Sequence, residues 1–272
     1  MSIRLRSSDW SLAVKVVPIA VAAVLVKLGV DQIGWDTVAL TTLHSGLLAA
    51  NVFLIGFLLA GTLADYKESE KLPGELAGRA ETIADECQIL YRDQQAEPAL
   101  RCLQHVGRFA ENLNDWLRGR SGVDAPLERI EEFNHFFLEF QPLTQPNFIV
   151  RLKQEQSTLR LLVIRINTIR ATSFVGAGYV IAQIASVLLV ISLIFADIAQ
   201  LAAECFLLGT ISFLFGYMIL LIKDLDDPFE YDGERRTGAA EVSLAPIKHL
   251  EARMTREIEA LGRAQAGEPQ PH

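Results

Sequence analysis

Charged residues are absent from four long stretches of the chain, and these stretches come in two pairs. The four stretches are 16–26, 37–64, 171–196 and 205–222. A helix needs about 20 mostly apolar residues to cross a bilayer. The second and third stretches are long enough, and the fourth just reaches that length. The first reaches it only if the helix continues to about Val30 and the Lys27 side chain snorkels to the interface. The pattern predicts four membrane-spanning helices.

About a hundred mostly polar residues separate the two pairs of spans. Apolar side chains recur there at helical spacing, as at Leu100, Leu103 and Val106. Proline and glycine predict breaks at 72–74, 97–98, 119–126 and 141–146. We expect three or four amphipathic helices packed as a bundle, the last of them, roughly 148–170, running straight into the third span.

The predicted fold class is therefore all-α, an integral membrane protein with four transmembrane helices and a cytoplasmic helical bundle. We divide the sequence into a first transmembrane pair, a helical segment, a second transmembrane pair and a tail, with the bounds 1–64, 65–170, 171–222 and 223–272.

The positions of Lys and Arg predict the orientation in the membrane. Of the 25 Lys and Arg residues, 14 lie in 65–170 and 7 in 223–272, and Arg4 and Arg6 precede the first span. The short linkers 29–36 and 197–204 contain none. Because cytoplasmic loops are enriched in Lys and Arg, both termini and the helical segment are predicted to be cytoplasmic. This places the protein in the plasma membrane, or in the inner membrane if the source is bacterial, in contact with lipid.

Composition and motifs narrow the function further. A net charge of -8 leaves no basic surface for nucleic acid. The three cysteines, Cys87, Cys102 and Cys205, lack metal-binding spacing. We find no phosphate-binding glycine loop, nucleophile elbow or metal-binding histidine pair, so no enzymatic activity is predicted.

The second span carries polar residues along one face. At about 100° per residue, this face holds six side chains within about 60° of one direction: Thr41, His44, Asn51, Ile55, Leu58 and Thr62. One interpretation is a water-lined pathway for inorganic ions, with an apolar neck at Ile55 and Leu58 or Leu59. The alternative is hydrogen bonding between helices of one bundle, which uses the same residue types.

The third span has small residues at Gly176, Gly178 and Ala182, which favour close helix packing. Gln183 and Tyr179 are expected to form hydrogen bonds across helices there.

Charged segments follow the second and fourth spans. Asp65, Tyr66 and Lys67 form either a cytoplasmic exit stabilised by ion pairs or a solvated helical turn. After the fourth span come the carboxylates Asp226, Asp227, Glu230 and Asp232. Their oxygens suit a divalent cation, although the spacing does not match an EF-hand loop. The alternative is an acidic turn held by Pro228 and Phe229.

The architecture resembles that of the bestrophin family, and short local patterns resemble it too. The stretch 54–59 followed by Tyr66 is similar to the family's pore helix and its exit, and 226–229 is similar to its acidic Pro-Phe segment. Family members are homopentameric anion channels with a hydrophobic neck on the second span. The resemblance implies a pentamer, chloride conduction and neck residues at Ile55, Leu59 and Leu63.

Two departures limit what the resemblance implies. The family's Arg-Trp pair after the second span is replaced by Lys67 and Glu68, which changes the local charge at the exit. The acidic run that binds calcium in animal members is interrupted here, so the resemblance by itself does not imply calcium gating, and a calcium ion stays one candidate ligand of the acidic segment. A non-conducting scaffold or sensor, whose bundle recruits a partner, is the alternative to the channel.

Overall fold

The structure is a computed structural model. It describes residues 9–35, 38–39, 41–172, 176–197, 200–232, 235–236 and 240–266. The side chain of Asp232 and the basic N-terminal residues Arg4 and Arg6 lie outside the described part.

Long helices make up almost all of the described chain. They are α1 (Asp9–Ile33), α2 (Thr42–Ser69), α3 (Leu72–Gln94), α4 (Glu97–Leu117), α5 (Asp124–Phe140), α6 (Pro146–Ala171), α7 (Gly176–Ile194), α8 (Leu201–Asp226) and α9 (Ala245–Ala266). Four two-residue strands accompany them: β1 (Val38–Ala39), β2 (Ala196–Asp197), β3 (Tyr231–Asp232) and β4 (Arg235–Arg236).

The chain divides into two compact units, which we call the membrane unit and the polar bundle. The membrane unit comprises 1–66, 173–228 and 238–241, and the polar bundle comprises 67–172, 229–237 and 242–272. Among the described residues, four helices are long and apolar enough to cross a membrane, and they correspond to α1, α2, α7 and α8. The prediction of an all-α, four-span membrane protein is confirmed, and the protein is a multi-pass membrane protein.

Helix α1 packs against α8 through glycine. A Cβ atom on Gly216 would lie 2.8 Å from Val16 Cγ1, and one on Gly209 would lie 3.3 Å from Val24 Cγ2. Because glycine has no Cβ, the backbone of α8 can approach the branched side chains of α1 closely. The first span therefore joins a compact helical unit, although its uncharged stretch is short.

The two linkers between paired spans meet each other. β1 and β2 pair in parallel, with Val38 opposite Ala196 and Ala39 opposite Asp197. The linkers therefore lie at the same end of the membrane unit.

Lys27 does not snorkel to an interface, which corrects the expectation for the first span. Its side chain is fully buried, and its Nζ lies 2.7 Å from Glu204 Oε2 and donates a 2.5 Å hydrogen bond to the Ala196 carbonyl. The counter-charge comes from the first turn of α8. The partner carboxylate therefore allows α1 to extend to Ile33.

The polar bundle has the predicted breaks. The loops at 118–123 and 141–145 overlap two of the predicted breaks, and those at 70–71 and 95–96 directly precede the other two, whose residues form the first turns of α3 and α4. Proline stands in the first turn of α3, α4 and α6, where a missing N–H costs nothing. One expectation was wrong: α6 does not run on, because it ends at Ala171 and its C-cap Thr172 has extended dihedral angles.

Helix α4 lies at the centre of the polar bundle and packs against α3, α5 and α9. Its buried side chains include Phe109 and His105. The His105 ring packs edge-on against Phe133 with ring centroids 4.7 Å apart, and its Nε2–H donates to the Arg129 carbonyl at 2.8 Å. A titratable ring is therefore enclosed in an aromatic core.

Candidate pore helix

The polar face of α2 points into the membrane unit itself. Ile55 and Leu58 are each only 3% exposed and belong to one core with side chains of α7 and α8. Asn51 and Thr62, on the same face, are also buried. The stripe that the sequence singled out is thus an intramolecular packing face.

Hydrogen bonds account for the polar residues of this face. Asn51 Nδ2 donates to Ser186 Oγ at 2.9 Å, which joins α2 to α7. Thr62 Oγ1 donates to the Leu58 carbonyl of its own helix at 3.0 Å. The Asn51 Oδ1 atom is buried and has no partner among the described residues.

His44 and Thr41 form a second polar contact at the start of α2. The Thr41 N–H donates to His44 Nδ1 at 3.2 Å, so this nitrogen accepts and the neutral ring carries its proton on Nε2. Nε2 lies 2.9 Å from Ser192 Oγ of α7 and donates to it. These residues border a cleft of about 440 Å³.

Ile55 and Leu58, two residues of the predicted neck, are enclosed by side chains of their own chain. A side chain that lines an axis shared by several copies must be exposed in one copy, and these two are enclosed by their own protomer. Leu59 is half-buried against the same core, and Leu63 is exposed. The interpretation of the polar face as helix–helix hydrogen bonding agrees with the contacts.

The opposite face of α2 is exposed and carries two aromatic rings. Phe53 is 75% and Phe57 is 62% exposed. At about 100° per residue, both point within about 60° of one direction and away from Asn51 and Ile55. Sequence reasoning missed this face because it followed the polar positions. The available signal was a pair of aromatic residues four positions apart in an otherwise aliphatic span.

The predicted exit residues lie on the last turns of α2. Asp65 and Tyr66 are half-buried. Lys67 Nζ lies 2.8 Å from Glu70 Oε2, and both side chains are largely exposed. An exposed pair of this kind contributes at most about 1 kcal/mol to the stability of the fold. It therefore stabilises the end of the helix only slightly.

The acidic segment after α8 does not assemble a cation site by itself. Asp226 ends the helix and Asp227 is its C-cap. Among the described residues, no three His, Cys, Asp or Glu side chains come together as a metal-binding group. The side chain of Asp232, the fourth predicted ligand, lies outside the described part, so the cation site stays a prediction.

Comparison with known proteins identifies the fold of the chain. No family model matches the chain, and no curated protein matches it. Several solved structures do match the chain. A variant of a bacterial bestrophin homolog from Klebsiella pneumoniae has a TM-score of 0.73 at 16% identity, covering 93% of this chain and 99% of that one. The protein has the bestrophin fold.

Further solved structures agree with this assignment. A second variant of the Klebsiella pneumoniae homolog has a TM-score of 0.70 at 17% identity and covers 92% of this chain and 98% of that one. A structure described only as a membrane protein variant has a TM-score of 0.74 at 15% identity and covers 93% and 99%. The bestrophin fold thus extends over both units of the chain.

Proposed function

We propose that the protein is a chloride-selective channel of the bestrophin type, formed by several copies of this chain, with five by resemblance. The observation that carries the proposal is the bestrophin fold over more than nine-tenths of the chain, joined to an exposed aromatic face on α2. In this arrangement α2 of each copy lines a central axis, and ions pass down their gradient without a catalytic step.

We place the neck at Phe53 and Phe57 in place of Ile55 and Leu58. The other residues of the exposed stripe are small: Gly46, Ala49, Ala60 and Ala64. Two phenylalanines among small residues form the narrowest point wherever this face lines an axis. An apolar constriction of that kind excludes water and so restricts ion passage.

The orientation is part of the same proposal. The Lys and Arg distribution supports cytoplasmic termini and a cytoplasmic polar bundle in a plasma or bacterial inner membrane. The pairing of β1 with β2 supports placing both linkers on the opposite side.

The second candidate function is a non-conducting scaffold whose bundle recruits a partner. The observation that favours it is the internal use of the polar face of α2, since Asn51 and His44 bond to α7 of the same chain. A scaffold predicts assembled protein without ion flux.

Ion flux into liposomes containing the purified protein separates the two. We expect flux driven by a chloride gradient to exceed flux driven by a sodium or potassium gradient. Phe53→Ala and Phe57→Ala should raise it, because each widens the neck. Val52→Ala is the matched control, since Val52 is exposed on α2 but lies off the stripe. Correctly assembled protein that shows no ion flux at several pH values and calcium concentrations would favour the scaffold.

A further inference from the structure

A crevice in the membrane unit combines an apolar lining with buried hydroxyl groups. Its volume is about 270 Å³, and α1, α7 and α8 enclose it. Ser186 lines it from α7 and Ser212 from α8, both near the middle of their helices. Ile19 and Ile191 at its rim are largely exposed, so the crevice opens on the outer surface of the helices. It is thus reachable from the hydrocarbon region of the bilayer.

The hydroxyl of Ser212 is the main reason to expect a ligand in the crevice. The residue is buried, and its Oγ has no hydrogen-bond partner among the described residues. An unpaired buried hydroxyl costs about 1–3 kcal/mol, and no water is available in the hydrocarbon region to satisfy it. A molecule that brings one oxygen atom to Ser212 removes this cost.

Ser186 presents a second hydrogen-bonding group to the same space. Its Oγ accepts a hydrogen bond from Asn51 Nδ2, and a hydroxyl that accepts still has its own proton to donate. Ser186 and Ser212 both line the crevice, so each can offer a proton to a ligand inside it. Tyr179 and Gln183 add a phenol and an amide to the lining. The lining therefore combines a few polar groups with a mostly apolar wall, as in small-molecule sites.

The lining excludes charged ligands and limits the size. The described residues that border the crevice include no Asp, Glu, Lys or Arg, and an unpaired charge in the hydrocarbon region is costly. A volume of about 270 Å³ equals that of about nine water molecules. A phospholipid chain would fit the apolar part but would leave Ser212 unpaired.

We propose that this crevice binds a small neutral amphiphile, with one hydroxyl or carbonyl oxygen on an apolar body, taken up from the bilayer. Ser212 and Ser186 bind the oxygen, and Ala23, Val190 and Phe215 enclose the apolar body. The bound molecule extends a chain of hydrogen bonds that begins at Asn51 of α2. The proposal rests on the membrane fold and does not depend on ion conduction.

Photolabelling tests the proposal with a diazirine derivative of octanol on the full-length protein in liposomes. We expect mass spectrometry to find the label around Tyr179 and Gln183 of α7 and around Phe215 of α8, and unlabelled octanol to compete. Ala23→Phe should abolish this labelling because it fills the crevice. Ala22→Phe, on the exposed side of α1, is the matched control and should keep it.

Ser212→Ala is the milder variant and guards against misfolding. It should weaken competition by octanol about fivefold, the value of one hydrogen bond, without lowering the thermal midpoint of the protein, because it removes an unpaired buried hydroxyl. Label scattered over all lipid-facing residues, or equal labelling of Ala23→Phe and Ala22→Phe, would overturn the proposal. So would an unlabelled crevice in assembled protein, whether water fills it or another copy covers it.

Discussion

The Lys27 ammonium lies 2.7 Å from the Glu204 carboxylate, and both side chains are buried in the membrane unit. The same ammonium donates to the Ala196 carbonyl in β2. One cation therefore joins α1, the first turn of α8 and a linker strand. Two buried charges in contact cost less than either alone, so each residue depends on its partner.

Removing one partner of this pair should destabilise the protein strongly. Lys27→Met removes the ammonium that lies 2.7 Å from the buried Glu204 carboxylate, which costs roughly 3–5 kcal/mol. We expect a large fall of the thermal midpoint in detergent. The double variant Lys27→Met with Glu204→Leu removes both charges and should recover most of that loss. A double variant no more stable than Lys27→Met would contradict the pairing.

Gly216 should tolerate no side chain as long as Val16 is present. A Cβ there meets Val16 Cγ1 at 2.8 Å, so Gly216→Ala should cost about 1–3 kcal/mol through overpacking. Val16→Ala removes the clashing methyl groups and should partly rescue it. Gly29→Ala, at a site with no atom within 4 Å of the new Cβ, is the control. Thermal unfolding of Gly216→Ala, Val16→Ala, the double variant and Gly29→Ala measures the coupling between residues 16 and 216. If the effects of the two single substitutions simply add in the double variant, the proposed clash is contradicted.

Ile55→Ala should affect stability more than ion flux. Because the side chain is enclosed in the core of the membrane unit, its truncation leaves a cavity and costs about 2–5 kcal/mol. Ile55→Ala should lower the thermal midpoint more than Phe57→Ala does, and it should raise chloride flux less. The reverse order, higher flux from Ile55→Ala in stable protein, would restore Ile55 to the neck.

The stability of the polar bundle should fall in mild acid because of His105. Burial lowers the pKa of this ring, and this outweighs the hydrogen bond to the Arg129 carbonyl and the nearby Glu132 carboxylate. The unfolded value is about 6.5. Below that pH the unfolded chain binds more protons than the folded one, so stability decreases as the pH falls towards the folded pKa and is constant above about 6.5.

Thermal unfolding at pH 7.5 and pH 5.5 measures this effect. The loss of stability between the two should be smaller in His105→Phe than in the unchanged protein. His135→Phe is the control, since His135 is exposed on α5. Glu132 does not interfere: its pKa is lowered, because burial, which raises it, is outweighed by the hydrogen bond and charge of Arg129. Its contribution is lost only below about pH 4.5. Equal losses in all three proteins would contradict the assignment.

Much of the fold could be predicted from local chemistry. Uncharged stretches of spanning length predict membrane helices because charge is costly in lipid. Proline at residues 73, 98 and 146 predicts the helix starts in the polar bundle because proline suits a first turn. These signals act within one helix and need no knowledge of its neighbours.

The orientation of side chains around the membrane helices could not be predicted in the same way. Helix α2 has apolar side chains on every side and polar ones along one face, so its sequence does not distinguish a face towards lipid from a face towards α7 or towards another copy. The side chains of Asn51 and His44 form hydrogen bonds equally well with water and with a serine of α7. The sequence alone determined the four spans, the helix breaks and the all-α class. Only the tertiary structure decided that Ile55 is enclosed, that Phe53 is exposed and that Lys27 meets Glu204, because each outcome depends on a partner distant in the chain.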